Sequence, residues 1–274
     1  MPRIDSRAIV AEGAVLADDV IVGPYCTVGP TVTIGSGSRL ISHVVVTGWT
    51  EVGEACTFYP FSSVGLEPQD LKFKDEKTRL LIGNHNVIRE FVTIHRGTSW
   101  GDRRTKIGDH NYLMAYTHIA HDCTVGNHVV FANAATLAGH ITIMDHAVVG
   151  ALSAIHQFCK VGKHAFIGGC SGVPQDIVPY ARAAGNRTKI YGINHVGLRR
   201  KGFSAESLNA LKRAFKLLFF SGLNTSQALE RIEETLSECP EVKELVEFVR
   251  SSARGICKDV PAFRGQTRSD SEPE

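Results

Sequence analysis

Apolar residues recur along this chain at every sixth position. Val10, Leu16, Val22, Val28, Ile34, Leu40, Val46, Val52, Phe58 and Val64 follow one another without a gap. After an interruption come Ile82, Ile88 and Ile94. After a second, the same step runs from Ile107 through Leu113, Ile119, Val125, Phe131, Leu137, Ile143, Val149, Ile155, Val161 and Ile167 to Val173. Such a period suits neither an α-helix, with its 3.6-residue repeat, nor a half-buried strand, which alternates every two. It suits a triangular β-solenoid. Each hexapeptide forms one short flat side, its aliphatic residue points inward, and three hexapeptides close a coil. The next position is often glycine (Gly23, Gly35, Gly53, Gly83, Gly108, Gly126), expected there for its backbone freedom. The position four after the aliphatic is small, as in Ala14, Ser38, Thr50 and Ser62. Cys26, Cys56, Cys123 and Cys159 occupy that small slot, which assigns them to packing.

Continuous hexapeptide repeats of this type resemble the left-handed parallel β-helix, a rare exception to the right-handed crossover rule. The predicted fold is therefore an all-β left-handed parallel β-helix over residues 1–183, followed by a small α-helical C-terminal domain over 184–257. The interruptions at 65–81 (GLEPQDLKFKDEKTRLL) and 97–106 (GTSWGDRRTK) predict outward loops. Both read either as tolerated surface insertions or as carriers of binding groups. The Gln-Asp-x-Lys cluster favours function for the first.

Beyond Val173, Pro174, Pro179 and Gly185 mark a linker. Ser204 can cap a helix carrying Leu208, Leu211, Phe215, Leu218 and Phe219 and ending at Gly222. Thr225 precedes a second, with Leu229, Ile232 and Leu236. Pro240 opens a third, with Val242, Leu245, Val246 and Val249, stopping at Gly255. Residues 258–274 lose apolar content and predict a flexible tail.

Composition narrows the function. Lys+Arg 30 against Asp+Glu 28 leaves a net charge of +2 over 274 residues, which calls for no nucleic-acid partner. No apolar run approaches the roughly 18 residues of a membrane span. The N-terminal MPRIDSRAIVAEG lacks the apolar stretch of a secretory signal, so a cytoplasmic, reducing location is expected. Seven cysteines, an odd number without a CxxC pair, argue against a disulfide framework and against a thiolate zinc site.

The chemistry lies with the histidines. His43, His85, His110, His128, His146 and His164 all sit three after an aliphatic, near a corner, and read as solvated turn residues. His118, His121 and His156 occupy other slots, and His140 shares the corner slot but has unusual neighbours. Residues one coil apart stack. His121, Gly139 and Gln157 thus form one column; Asp122, His140 and Phe158 the next; Ala120, Ala138 and His156 a third. Imidazoles, a carboxylate and a glycine amide converge within about 10 Å along the axis. A neutral imidazole suits proton abstraction near pH 7, and a glycine N–H beside it suits an oxyanion, as acyl transfer requires. The alternative is an idle polar patch. Some hexapeptide solenoids resemble zinc-dependent carbonic anhydrases, but the spacings of His118 to His121 and His140 to His146 do not match those ligands, so no metal is expected.

The segments HIAHDCTVGN, ATLAGH, AIHQF, GGCSGV, PQDLK, VTIHRGT and GLRRKGF resemble the UDP-N-acetylglucosamine O-acyltransferase family of lipid A biosynthesis, over roughly residues 1–255. The resemblance implies transfer of an (R)-3-hydroxyacyl chain from acyl carrier protein to the glucosamine 3-position of UDP-N-acetylglucosamine. It implies no separate cofactor, since the donor is the carrier's own phosphopantetheine thioester. His121 would be the general base, Asp122 its support, and the Gly139 amide the oxyanion hole. Gln69, Asp70 and Lys72 would hold the sugar, with His118, His140, His156 and Gln157 lining the sugar and acyl site. Asn194 would meet the nucleotide, and Arg200 and Lys201 the phosphates. Lys201 departs from the family's commoner Arg, which keeps the charge but loses the bidentate fork; Val196 stands where the family can carry Glu. Gly169 matches the position that stops the acyl chain, and a glycine there implies a long chain of about 14 carbons by resemblance. A homotrimer with sites between subunits is also implied, and the basic residues Arg199, Arg200, Lys201, Lys212, Arg213 and Lys216 could dock an acidic carrier. Two alternatives stand beside this reading: the same reaction on a 3-amino analogue of the sugar, and a non-catalytic solenoid that binds the carrier.

Overall fold

In the computed structural model, which describes residues 1–258, two-residue strands dominate. Ile21–Val22, Thr27–Val28 and Thr33–Ile34 each pair in parallel with the segment eighteen residues later. Repeating this step builds sheets of eleven, nine and eight strands, one for each side of a triangular prism, parallel throughout except for the last strand of the first. The chain is a left-handed parallel β-helix with four C-terminal helices.

The six-residue step is enforced at the corners. Three positions after most of the aliphatics the backbone turns left-handed, as at Tyr25 (φ 58°), His43 (φ 52°), His140 (φ 61°) and Phe158 (φ 65°). The aliphatic slot itself faces inward: Leu40, Phe58, Ile94, Leu113, Ile119, Phe131 and Leu137 are fully buried. Each such side chain contributes roughly 1.5–3 kcal/mol of burial free energy. Val10 and Leu16 are only partly buried, because no coil lies below them.

The glycines after the aliphatics, Gly65 excepted, serve close approach rather than backbone freedom. Gly23 has no left-handed φ, but a Cβ there would stand 1.8 Å from the Ile41 carbonyl oxygen of the next coil. Cys26, Cys56, Cys123 and Cys159 are fully buried in the small slot, and burial pushes the Cys123 thiol up to about 12.

Both insertions rejoin the ladder in register, the first leaving it through a bulge between Val64 and Leu66. Val52 pairs with Ile82, thirty residues on instead of eighteen, and Ile82 pairs with Ile107, twenty-five on. The strands Arg79–Ile82 and Arg104–Ile107 reclaim the last residues of each interruption.

The stretch after Val173 is not a linker. Ile177, Val178, Tyr180, Ala181 and Ala183 are buried. Ala181–Ala184 pairs in parallel with Phe166–Ile167 and antiparallel with Lys189–Ile193, so β-structure runs ten residues past the expected boundary at 183. A six-residue helix, α1 (His195–Arg200), follows without having been signalled by apolar periodicity. The expected three are α2 (Ala205–Phe220), α3 (Thr225–Leu236) and α4 (Pro240–Arg250). Ser204 caps α2 as expected, whereas α3 is capped by Asn224, whose capping box with Gln227 starts it one residue earlier than Thr225 suggested. Tyr180 donates its hydroxyl proton to Glu244, tying α4 to the last coil. None of the described helices is long and apolar enough to cross a membrane. The expected tail lies, from residue 259 onward, outside the described residues.

Candidate active site

The strand His118–Ile119 lies between Thr93–His95 below and Thr136–Leu137 above. Ile119 points into the core, and the chain then turns the corner through His121 and Asp122, the latter left-handed at φ 58°. One coil later Gly139 and His140 make the same turn. The expected columns form: the His140 N–H donates to the His121 carbonyl at 3.0 Å, and the Phe158 N–H to the Gly139 carbonyl at 3.3 Å. A Cβ on residue 139 would lie 2.5 Å from Cε1 and 2.8 Å from Nε2 of His121. Only glycine lets the imidazole rest against that backbone. Among the described residues no acceptor takes the Gly139 N–H.

His121 and Asp122 are partners as well as neighbours. Nδ1 of His121 lies 2.9 Å from Oδ2 of Asp122, whose side chain is fully buried. The Thr98 N–H reaches both carboxylate oxygens at 3.1 Å, and the Thr98 hydroxyl donates to Oδ2 at 2.5 Å. The Asp122 N–H donates to Thr105 Oγ1 at 2.9 Å. Gly101 closes over the carboxylate, where a Cβ would come within 2.3 Å of Asp122 Cγ. Burial pushes the Asp122 pKa up, but the hydrogen bonds from His121 and Thr98 outweigh it and hold it below the usual value. An ionised carboxylate only accepts, so the His121 proton sits on Nδ1 and the Nε2 lone pair is free.

Neutral imidazoles surround this pair. His140 meets His121 edge-on at 5.1 Å and stacks on Phe158 at 4.6 Å; burial lowers its pKa against the opposing pull of Asp122. His118 Nδ1 bonds the Thr93 hydroxyl at 2.7 Å and is likewise lowered by burial. His95, edge-on to His118 at 5.1 Å, is held at about 4, chiefly by burial.

Thr98, Thr105 and Gly101 were not legible as site residues. They belong to the second interruption, whose length obeys no repeat, and only folding shows that it seals the carboxylate. The two loops are also joined. The Ser99 hydroxyl donates to Glu76 at 3.0 Å, and just before the second loop buried Arg96 places Nη2 3.2 Å from Asp75 and 3.7 Å from Glu67, with its guanidinium 5.1 Å from the centre of the Phe73 ring. On the first loop Gln69 and Lys72 are exposed, and Asp70 is half-buried and acts electrostatically on His140.

The remaining expected residues distribute unevenly. His156 and Gln157 are exposed above Gly139. Asn194 caps α1 through Oδ1, accepting the Gly197 N–H at 3.2 Å, and donates Nδ2 to the His164 carbonyl at 3.1 Å. With Arg182 and Arg200 it lines an open cavity of about 550 Å³. Exposed Lys201 follows α1, and its charge reaches His146 and His164. Gly169 is exposed, but its column passes through Ala151, at a different corner from Gly139. A single chain therefore does not bring Gly169 to His121.

One expectation for the corner histidines is corrected. His43, His85, His110 and His128 are exposed, but His164 is buried and held at about 4 by desolvation. Tyr180 and Phe203 pack over its ring. Nδ1 of His146 is buried without a hydrogen-bond partner. As for metals, His121, Asp122 and His140 offer ligand atoms within 4.8 Å of one another, although Thr98 and His121 already occupy the carboxylate.

A family model described as UDP N-acetylglucosamine O-acyltransferase, domain 2, matches residues 176–257, and a bacterial transferase hexapeptide model matches 104–139. A curated relative from Thermodesulfovibrio yellowstonii, named acyl-[acyl-carrier-protein]–UDP-N-acetylglucosamine O-acyltransferase, is 50% identical over 258 residues, 94% of this chain and 100% of its own. This chain belongs to the UDP-N-acetylglucosamine O-acyltransferases. Solved members of that family superpose on it. The Acinetobacter baumannii LpxA structure is 49% identical with a TM-score of 0.90, covering 92% of this chain and 98% of its own. The Francisella novicida enzyme is 35% identical with a TM-score of 0.91, covering 97% and 100%. The protein is thus an acyltransferase, and the His121 corner is where its geometry is suited to that chemistry.

Proposed function

We propose that the protein moves an (R)-3-hydroxyacyl chain from the thioester of acyl carrier protein to the glucosamine 3-hydroxyl of UDP-N-acetylglucosamine, the first step of lipid A biosynthesis. The observation that carries this reading is the His121–Asp122 pair whose imidazole rests against the backbone of Gly139, a residue whose N–H meets no acceptor among the described residues. Nε2 of His121 takes the proton of the sugar hydroxyl, and the oxygen attacks the thioester carbonyl. The carbonyl electron pair moves onto oxygen, where the Gly139 N–H stabilises it. Collapse breaks the C–S bond, and the imidazolium returns its proton to the departing thiolate. Asp122 stabilises that imidazolium throughout. No covalent acyl-enzyme forms, and no cofactor is needed beyond the donor's own phosphopantetheine.

Gln69, Asp70 and Lys72 hold the sugar, and His118, His140, His156 and Gln157 line the path of sugar and acyl chain. Asn194, Arg200 and Lys201 take the nucleotide and its phosphates. Gly169 ends the acyl groove, and a homotrimer would bring its corner beside the His121 corner of a neighbour. Lys212, Arg213 and Lys216 are exposed on α2 and make no ion pair among the described residues, which supports docking of an acidic carrier in the cytoplasm.

The test is purified protein with a series of 3-hydroxyacyl carrier proteins, offered UDP-N-acetylglucosamine or its 3-amino analogue. Thioester loss that depends on the 3-hydroxyl sugar supports the proposal. Loss only with the amino sugar would reassign the acceptor, and binding without loss would make the protein a carrier-binding solenoid.

A further inference from the structure

Arg254 follows α4 and belongs to no motif read from the sequence. The segment that carries it returns from the helices to the last coil. The Asp176 N–H donates to the Gly255 carbonyl at 3.0 Å, the Cys257 N–H to the Asp176 carbonyl at 2.8 Å, and the Ser252 hydroxyl to Asp176 Oδ2 at 2.6 Å. From this anchored backbone Arg254 Nε donates to the Pro174 carbonyl at 2.9 Å, and its Nη2 lies 2.8 Å from Nδ1 of His156.

A guanidinium has donors and no acceptor, so Nδ1 of His156 must supply the lone pair. The Gln157 carbonyl oxygen also stands 3.2 Å from that Nδ1. It could pair only with a protonated Nδ1, the tautomer that Arg254 rules out. Two partners for two tautomers are therefore in place, and Arg254 selects between them. It leaves the ring proton on Nε2. His156 is exposed two coils above Ala120, about 10 Å along the prism, beside the Gln157 that tops the His121 column. With Pro174, Asn186 and Arg187 it borders a cavity of about 290 Å³.

We propose that Arg254 is a positioning residue that fixes His156 as an Nε2–H donor toward an oxygen of bound substrate. The inference rests on the acyl-transfer reading for what His156 faces. The acceptor oxygen could belong to the sugar nucleotide or to the acyl-pantetheine, and the two KM values separate these sources. Without Arg254 the ring is free to turn its proton toward Gln157, and the outward nitrogen becomes an acceptor facing another acceptor.

The experiment uses the full-length protein labelled with ¹⁵N at histidine, the His156 signals being assigned by their loss in His156→Gln. The native protein should show a pyridine-type Nδ1 and a pyrrole-type Nε2. Arg254→Ala should shift the ring toward the opposite tautomer and raise the KM of one substrate about tenfold, the scale of one hydrogen bond to a charged group, with kcat little changed. Arg254→Lys, which keeps a donor if the alanine variant folds poorly, should recover part of both effects. A protonated Nδ1 in the native protein would overturn the proposal, as would two unchanged KM values in Arg254→Ala. Binding of both substrates by the native protein without thioester loss would instead sink the acyl-transfer reading, leaving the tautomer measurement intact.

Discussion

At one corner of the solenoid His85, His110, His128, His146 and His164 stack nearly face to face, with ring centres 4.6 to 4.8 Å apart. At another, His121 meets His140 edge-on at 5.1 Å beside a buried carboxylate. The two corners draw on the same residues in opposite order. Asp109 precedes His110 and Asp145 precedes His146, whereas His121 precedes Asp122. In the ladder the acid takes the earlier slot and bonds backbone of the coil before it: the Asn84 N–H donates to Asp109 at 2.6 Å and the Asn127 N–H to Asp145 at 2.7 Å. At the other corner the acid takes the left-handed slot, Thr98 seals it, and it faces the imidazole instead. Exchanging two adjacent residues turns a stacking column into a dyad.

That comparison breaks most readily at His121. His121→Ala should lower kcat/KM by roughly 10²–10⁴-fold or more while keeping the fold, whereas His128→Ala in the ladder should leave the rate unchanged. A comparable loss in both would show that imidazoles at either corner act structurally. Gly139→Ala comes next. Its Cβ must displace the His121 ring, and a misplacement near 1 Å costs about 10²-fold in kcat. Thr98→Val removes one hydroxyl from the carboxylate and should cost about tenfold in kcat/KM, as loss of a hydrogen bond to a charged group does. Steady-state kinetics on the three variants ranks them, and a Thr98→Val rate equal to native would detach the second loop from the chemistry.

The smallest effect belongs to the ladder and concerns stability. His164 is neutral in the fold, with a pKa of about 4 against 6.5 ordinarily, because burial disfavours its charge; His146 is lowered in the same direction. The unfolded chain binds the proton more readily, so the stability present above about pH 6.5 is lost as pH falls toward 4. His164→Asn, which tolerates the left-handed corner, should lessen the fall of the melting temperature between those limits, the share of His95, also held at about 4, remaining. An unchanged slope would place the acid sensitivity elsewhere.

The repeat made the columns legible, because a strict period converts sequence distance into height. By itself it places His121 under Gly139 and Asp122 under His140. What it missed lies off the period. Thr98 and Gly101 sit in an insertion of irregular length, and Arg254 reaches His156 across 98 residues. The burial of His164 depends on Phe203 folding back over it, a contact no hexapeptide encodes. The six-residue α1 is too short to show a periodic face, and the buried run from Ile177 to Ala183 was obscured by prolines that here turn a coil.

The central claim is direct attack by a sugar oxygen on the thioester, with His121 as the base. It is tested most directly by mixing excess protein with 3-hydroxyacyl carrier protein and following intact masses, first without and then with UDP-N-acetylglucosamine. The chain should keep its unmodified mass in both, with acylated sugar appearing only when the acceptor is added. An acylated form of the chain that accumulates without the sugar and disappears on its addition would contradict the account.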